Sequence, residues 1–267
     1  MKHIELNNGI AMPVIGAGTN TYGKEGNAYQ GALTGDTTEV RWAIENGYRH
    51  FDTAQSYRNE KVLGDGIKAS GLPRKEFFIV TKLRRLEDVS DLKSWVQGEI
   101  KASLERLQTS YVDQFLIHHP WDNDAEMVEV WKILEAYYER GSFRSIGVSN
   151  FDQRQLRLIM DEGTVPPAAN QIASNPDSWN DELIRYHEAN NIATVAWSPL
   201  RGVGSHKVLD AIGQRYGKTA AQVVLRYQVQ RDVIVIPKSH NKERQAQSLD
   251  VFDFELTAEE CEQLRSL

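Results

Sequence analysis

The sequence contains one cysteine, Cys261, in 267 residues. No internal disulfide can form, and the chain fits a reducing compartment. The N-terminus, MKHIELNNGIAMP, lacks the apolar core of a secretory signal. The most apolar runs, such as Val233 to Ile236, fall far short of the roughly 20 residues a membrane helix needs. There is no excess of positive charge either. The formal net charge is -6, which argues against a large nucleic-acid footprint while leaving room for a local basic pocket. No low-complexity segment, long charge run or linker divides the chain. These absences lead to the expectation of a cytoplasmic, soluble protein with no membrane or nucleic-acid partner.

What is present is alternation. The length is near that of an α/β barrel, about 250 residues, and the 40% apolar and 25% charged fractions are those of an ordinary globular chain. Strand-like runs fall at Val14–Gly18, Tyr48–Thr53, Phe77–Lys82, Val112–His118, Phe143–Val148, Ala169–Ala173, Ile192–Trp197 and Val233–Pro237. Between them lie segments with helical spacing: Thr37–Asn46, Asn59–Ser70, Lys93–Gln108, Met127–Arg140, Gln153–Glu162, Asp181–Asn190 and Gln222–Val229, with an extra helix near Lys207–Gly217. Regular β/α alternation predicts a parallel sheet, and eight such units predict a (β/α)8 TIM barrel, as a single domain over 1–267. The opening IELNNGIAMPVIG carries an Asn-Gly turn and predicts a β-hairpin across the barrel bottom. Thr257–Leu267 opens with a capping box and predicts a final helix.

In such barrels chemistry sits at the C-terminal strand ends. The runs end in FDTA (Asp52, with Tyr57 beyond), VTKL (Lys82), LIHHP (His118, His119), GVSNF (Ser149, Asn150), NQ (Asn170, Gln171), AWSPL (Trp197, Ser198) and IPKS (Lys238, Ser239). Taken singly, each has a plain structural reading. Asp52 could be a helix cap, Lys82 a surface lysine, one histidine a structural residue, Ser149-Asn150 a turn, and Trp197 core packing. Independent accidents rarely place so many polar groups on one rim, so the set is read as functional.

Asp52, Tyr57, Lys82 and a histidine make a proton-handling cluster. A nearby ammonium stabilises a phenolate and is expected to lower the tyrosine pKa from its usual value near 10. Asp52 would hold Lys82 charged, and a neutral histidine would orient a carbonyl oxygen beside the hydroxyl. No serine or cysteine nucleophile accompanies them, so a carbonyl protonated here would need a hydride, as a nicotinamide supplies. In IPKSHNKER, Lys238, Ser239, Lys242 and Arg244 open a short helix, a pattern that suits a phosphate. A lone basic cluster is more often a solvated helix end.

With these residues in view, the chain resembles the aldo-keto reductases. The resemblance is carried by NNGIAMPVIGAGT, GYRHFDTAQSY, FFIVTKL, SYVDQFLIHHP, GSFRSIGVSNF, NQI, VAWSPL, IPKSHNKER and VFDFELTAEE, in the family's order over nearly the whole chain. It implies Tyr57 as proton donor in a tetrad with Asp52, Lys82 and His118, and NADPH extended over the barrel mouth. Gly18, Thr19 and Asp52 would border the cofactor, and Ser149, Asn150 and Gln171 would hold its carboxamide. Trp197 would stack on the nicotinamide, where the family usually has tyrosine. Ser198 and Leu200 would follow the pyrophosphate. Lys238, Ser239 and Arg244 would grip the 2'-phosphate, with Gln247 near the adenine. Asn20 and His119 would line the substrate pocket. A small carbonyl substrate, no metal and a monomeric state are implied.

The sequence departs from the family's pattern at several points. His-Trp-Pro is usual where this chain has His118-His119-Pro120, so His118 takes the catalytic place and His119 that of the pocket tryptophan. A histidine there is expected to titrate near neutral pH. NQIAS replaces the usual Asn-Gln-(Val/Ile)-Glu, and the loop Tyr22–Asp36 is long and rich in glycine. The C-terminal loop that closes the pocket is expected to be short or missing, leaving an open pocket and a broad substrate range.

Other classes remain. A Schiff-base aldolase would use Lys82 as nucleophile but needs a depressed pKa, which Asp52 would oppose. A metal-dependent hydrolase would use His118, His119 and Asp122, although adjacent strand residues face opposite sides. A non-catalytic NADP-binding barrel is a third, since fold does not fix function. A two-domain dehydrogenase is weak because Gly16-Ala17-Gly18-Thr19-Asn20-Thr21 lacks the third glycine of the dinucleotide fingerprint.

Overall fold

Two short extended runs at the start pair antiparallel, β1 (His3–Glu5) with β2 (Ala11–Pro13). Gly9, at φ 80°, makes the turn between them. The Asn7 and Asn8 side chains donate to the carbonyls of Pro167 and Arg144, at 3.0 and 2.9 Å. Both acceptors precede strands of the main sheet, so the hairpin lies across the bottom of the barrel as expected. The structure is a computed structural model that describes residues 2–86 and 89–267.

Among the described residues the main sheet has eight parallel strands: β3 (Ala17–Gly18), β4 (His50–Asp52), β5 (Phe78–Leu83), β6 (Gln114–Ile117), β7 (Ile146–Ser149), β8 (Ala169–Ala173), β9 (Ala193–Trp197) and β10 (Ile234–Val235). They follow one another in sequence order. The ring closes where Ile15 bridges Val235, with Gly16 N–H donating to Val235 O at 2.9 Å and Gly18 N–H to Pro237 O at 3.1 Å. Gly18 permits this seam, because a Cβ there would stand 2.9 Å from the Ile236 carbonyl oxygen.

Around the ring lie α1 (Thr38–Asn46), α2 (Glu60–Ala69), α3 (Leu92–Leu107), α4 (Asp124–Glu139), α5 (Gln153–Glu162), α6 (Asp181–Ala189), α7 (Lys207–Tyr216), α8 (Ala220–Gln230), α9 (Lys242–Leu249) and α10 (Ala258–Arg265). Two helices start earlier than the apolar spacing predicts, each at a side-chain cap. α4 begins three residues before Met127 because Asn123 accepts from the amides of Ala125 and Glu126. α8 begins ahead of Gln222 because Thr219 and Gln222 form a capping box, which makes Gln222 the third residue of its helix. Among the described residues no helix is long and apolar enough to cross a membrane.

Two apolar layers follow strand parity. One layer, with Phe78, Val80, Leu116, Ala169, Val195, Ile234 and Ile236, packs with Leu6 and Met12 of the hairpin and fills the barrel. The other, with Phe51, Ile79, Phe115, Ile117, Ile146, Val148 and Val235, packs with the helices. Each Val, Leu, Ile or Phe side chain among them, taken from water, contributes about 1.5–3 kcal/mol. The inward parity continues upward. Lys82 stands two residues beyond Val80, His118 beyond Leu116, Gln171 beyond Ala169, Trp197 beyond Val195 and Lys238 beyond Ile236.

Two buried histidines make the fold acid-sensitive. His50 and His187 are fully buried, and burial pushes each pKa down to about 4. The His187 Nε2 faces the Asn170 amide donor at 3.0 Å and so accepts, while Nδ1 meets Thr194 Oγ1 at 2.9 Å. The unfolded chain binds protons on these residues below about pH 6.5, whereas the folded chain binds them only near 4. Stability is therefore expected to fall on acidification from pH 6.5 towards 4, by about 1.4 kcal/mol per pH unit for each residue. Urea unfolding at stepped pH checks this, and a flat midpoint over that window would contradict it.

Candidate active site

The inward-facing strand ends meet in a cavity of about 520 Å³ at the top of the barrel. Asp52, at the end of β4, is 2% exposed. Its carboxylate accepts from Lys82 Nζ at 2.5 Å and from Gln171 Nε2 at 2.7 Å. Lys82, on β5, is fully buried and also donates to the Thr53 carbonyl at 2.9 Å. Tyr57 ends the short turn Gln55–Tyr57 after β4. The Lys82 ammonium lies 5.1 Å from its ring centroid, on the face. The His118 ring meets Tyr57 edge-on, with centroids 5.6 Å apart and planes at 84°. Asp52, Tyr57 and His118 line the cavity, while Lys82 stands behind them.

Burial sets the protonation states. It pushes the Tyr57 pKa well above the usual value, and the Asp52 carboxylate pushes it the same way. The expected lowering of Tyr57 by Lys82 is thus not found: desolvation of the phenolate and the nearby anion outweigh the ammonium. For Lys82, desolvation lowers the pKa and outweighs the opposing pull of Asp52. Burial and the Lys82 charge drive His118 down to about 2, so the ring is neutral across ordinary pH. His119 is also pushed below its usual value, by partial burial, Lys82 and Arg85. The direction runs against the expectation that His119 titrates near neutrality: partial burial and two neighbouring cations disfavour the imidazolium.

The sequence could not choose between the two histidines by parity, because both faces of a barrel strand are buried. The layers do choose, since His118 continues the inward row of Leu116. His119 still lines the cavity, stacked on His118 with centroids 4.6 Å apart. Asn170 was read with Gln171 at the rim. It points outward instead, donating to Phe151 O and facing His187.

Gly18, Thr19, Asn20, Ser149, Asn150, Gln171, Trp197, Ser198, Leu200 and Lys238 all border the same cavity. Ser239, Arg244 and Gln247 do not. The Ser239 hydroxyl is bonded within its own turn, to the backbone of Asn241, and Arg244 and Gln247 are exposed on α9. Lys242, read as part of the basic cluster, is paired with Glu45 at 2.5 Å. Asn150 sits in the left-handed region, φ 63°, where asparagine is well tolerated. It donates to the His118 carbonyl and accepts from Trp197 Nε1 at 2.9 Å. Gln171 donates one amide N–H to Asp52, and its carbonyl oxygen is free to accept. The buried Asn20 Oδ1 has no protein partner among the described residues. An open acceptor on the cavity wall, Gln171 Oε1, and a lysine at its edge, Lys238, fit a nicotinamide nucleotide, whose carboxamide donates and whose phosphates need a cation.

Sequence reasoning missed two side chains. Ser56 Oγ lies 3.1 Å from His118 Nδ1 and so sets the ring's orientation; its place beside Tyr57 was the available signal. Tyr29, in the loop Tyr22–Asp36, contacts Tyr57 edge-on at 6.0 Å; the loop's unusual length was the signal there.

The family model "Aldo/keto reductase family" matches residues 14–267. A glyoxal reductase of Bacillus subtilis (strain 168) is 36% identical over 266 residues, covering 99% of this chain and 92% of its own length. Among solved structures, an aldo/keto reductase from Brucella melitensis superposes with a TM-score of 0.91 at 33% identity, covering 99% of this chain and 98% of that one. A Bombyx mori aldo-keto reductase in complex with NADP superposes with a TM-score of 0.89 at 33% identity, covering 99% and 92%. The chain belongs to the aldo/keto reductase family, NADP-dependent oxidoreductases that act on carbonyl groups.

Proposed function

We propose that residues 1–267 act as one barrel domain that reduces an aldehyde or ketone to the alcohol, with Tyr57 as proton donor. The observation that carries this is the convergence of Asp52, Tyr57 and His118 on one cavity wall, with the buried Lys82–Asp52 pair directly behind. NADPH, when bound, supplies a hydride to the carbonyl carbon. His118, neutral and oriented by Ser56, donates a hydrogen bond that holds the carbonyl oxygen near the Tyr57 hydroxyl. Tyr57 gives its proton to that oxygen as negative charge develops. The raised pKa keeps the phenol protonated at neutral pH. The Lys82 ammonium, on the ring face, stabilises the phenolate once the proton has left. Asp52 anchors Lys82, and solvent at the cavity mouth returns the proton to Tyr57.

The cofactor residues are proposed in the same sense: Gly18, Thr19, Ser149, Asn150, Gln171 and Trp197 for the nicotinamide half, Ser198 and Leu200 for the pyrophosphate, and Lys238, Ser239, Arg244 and Gln247 for the 2'-phosphate and adenine. Asn20 and His119 face the substrate. Arg244 gives this assignment a sharp test because it is exposed and close to Lys238 in sequence. Arg244→Ala is expected to weaken NADPH binding by about tenfold or more, the value of a charge-assisted contact, and to leave NADH binding unchanged. Fluorescence titration of both nucleotides reads the difference; equal loss for both would remove the 2'-phosphate role.

None of Thr257–Leu267 lines the cavity; α10 packs on α7 and α8, with Trp179 Nε1 donating to Leu264 O at 2.7 Å. The Schiff-base reading has the lowered Lys82 pKa that Asp52 was expected to prevent, but Lys82 Nζ is held by two acceptors and does not reach the cavity wall. The test is NADPH oxidation with methylglyoxal, an aromatic aldehyde, a keto-sugar and a cyclic ketone. Turnover supports the reductase. NADPH binding without turnover of any of them favours the non-catalytic NADP-binding barrel.

A further inference from the structure

The loop between β3 and α1 places an aromatic ring where the tetrad does not need one. We propose that Tyr29 is a specificity-determining residue that favours flat, aromatic carbonyl substrates over small aliphatic ones. The inference rests on the reductase reading of the cavity and deepens it.

Tyr29 lines the same cavity as Tyr57, His118 and Trp197. Its ring stands at 77° to Tyr57, centroids 6.0 Å apart, and Tyr57 stands edge-on to His118 in turn. The three rings form one aromatic wall beside the proposed proton donor. Yet Tyr29 is 42% exposed, so core packing does not explain it. A tyrosine on a loop usually moves, but this one is fixed from beneath. Lys24 Nζ donates to the Tyr29 carbonyl at 2.7 Å and sits 4.8 Å from the centre of its ring. Lys24 is only 5% exposed, and burying an ammonium is costly unless its partners are well placed. The loop is cross-linked above and below that point: Glu25 N–H donates to Ala32 O and Thr34 N–H to Gly23 O, both at 2.9 Å. Gly31 lets the strands of the loop meet, because a Cβ there would come within 2.4 Å of the Glu25 carbonyl oxygen. The ring is therefore held in place with one side open to the cavity. A substrate ring entering opposite it gains an offset or edge contact; a dicarbonyl such as methylglyoxal has no ring to offer. Lys24 is a positioning residue for that wall.

Tyr29→Ala and Tyr29→Phe are compared with wild type using 4-nitrobenzaldehyde and methylglyoxal. The affinity of 4-nitrobenzyl alcohol for the NADP-loaded protein is measured by calorimetry, which needs no turnover. Tyr29→Ala is expected to raise KM for the aromatic aldehyde and Kd for the alcohol by about tenfold, with a much smaller change in methylglyoxal kinetics and NADPH affinity unchanged. Tyr29→Phe is expected to keep the wild-type values, because the ring and not the hydroxyl makes the contact. Lys24→Met is expected to reproduce the aromatic-selective loss. Equal losses for both substrates, or unchanged KM and Kd in Tyr29→Ala, would overturn the inference. If no carbonyl turns over but the alcohol still binds in a Tyr29-dependent way, the aromatic site stands and the reductase reading falls.

Discussion

Tyr57→Phe is expected to reduce kcat for carbonyl reduction by about 10²–10⁴-fold, the range a positioned general acid supplies, with NADPH affinity unchanged. The substitution removes one oxygen and little else. Among the described residues the Tyr57 hydroxyl has no hydrogen-bond partner, and its ring keeps its contacts with Tyr29, His118 and the Lys82 ammonium. Folding should therefore be almost unaffected, so the loss can be assigned to proton transfer. A parallel rise in KM with kcat intact would instead mean that the hydroxyl binds ground-state substrate. Stopped-flow oxidation of NADPH, with nucleotide binding measured separately, distinguishes the two.

Lys82→Met is expected to lower both stability and activity, for separable reasons. Lys82 and Asp52 are 0% and 2% exposed in their side chains, 2.5 Å apart. Removing the lysine leaves a buried carboxylate with Gln171 as its one remaining side-chain donor among the described residues. Breaking such a pair from one side destabilises by about 3–5 kcal/mol, because the remaining charge is uncompensated. The double variant Asp52→Asn/Lys82→Met removes that charge as well. It is expected to recover much of the stability while remaining inactive, since the phenolate of Tyr57 still lacks a cation. Urea midpoints for the two single variants and the double give the coupling. If the double variant were no more stable than Lys82→Met, the buried pair would not be the source of the loss.

Strand and helix alternation was readable because a barrel strand buried on both faces gives a short apolar run and a covering helix gives a 3.6-residue stripe. Boundaries were less readable. Asn123 and Thr219 act through side-chain oxygens on backbone amides, and a polar residue before a helix does not announce which turn it caps. Strands at the seam shrank to Ala17–Gly18 and Ile234–Val235, because closure there rests on one bridge and a few loop hydrogen bonds. At the site, residue types at the strand ends already gathered Asp52, Tyr57, Lys82 and a histidine, and the family resemblance pointed to His118. Their protonation was misjudged because it depends on burial, which sequence does not display. By strand parity alone the two adjacent histidines looked alike until the inner and outer layers separated them. Tyr29 was invisible because its place over Tyr57 is set by a loop whose fold depends on Lys24, Gly31 and two backbone rungs.

The most direct test of the central claim is isotopic. NADPH carrying deuterium on the transferable position of the nicotinamide ring would be incubated with the protein and an aldehyde, and the alcohol analysed by mass spectrometry and NMR. The expected result is one deuterium on the former carbonyl carbon and none from solvent at that position. Alcohol formed with solvent hydrogen on that carbon, or a borohydride-trapped adduct on Lys82 in its place, would contradict direct hydride transfer at this site.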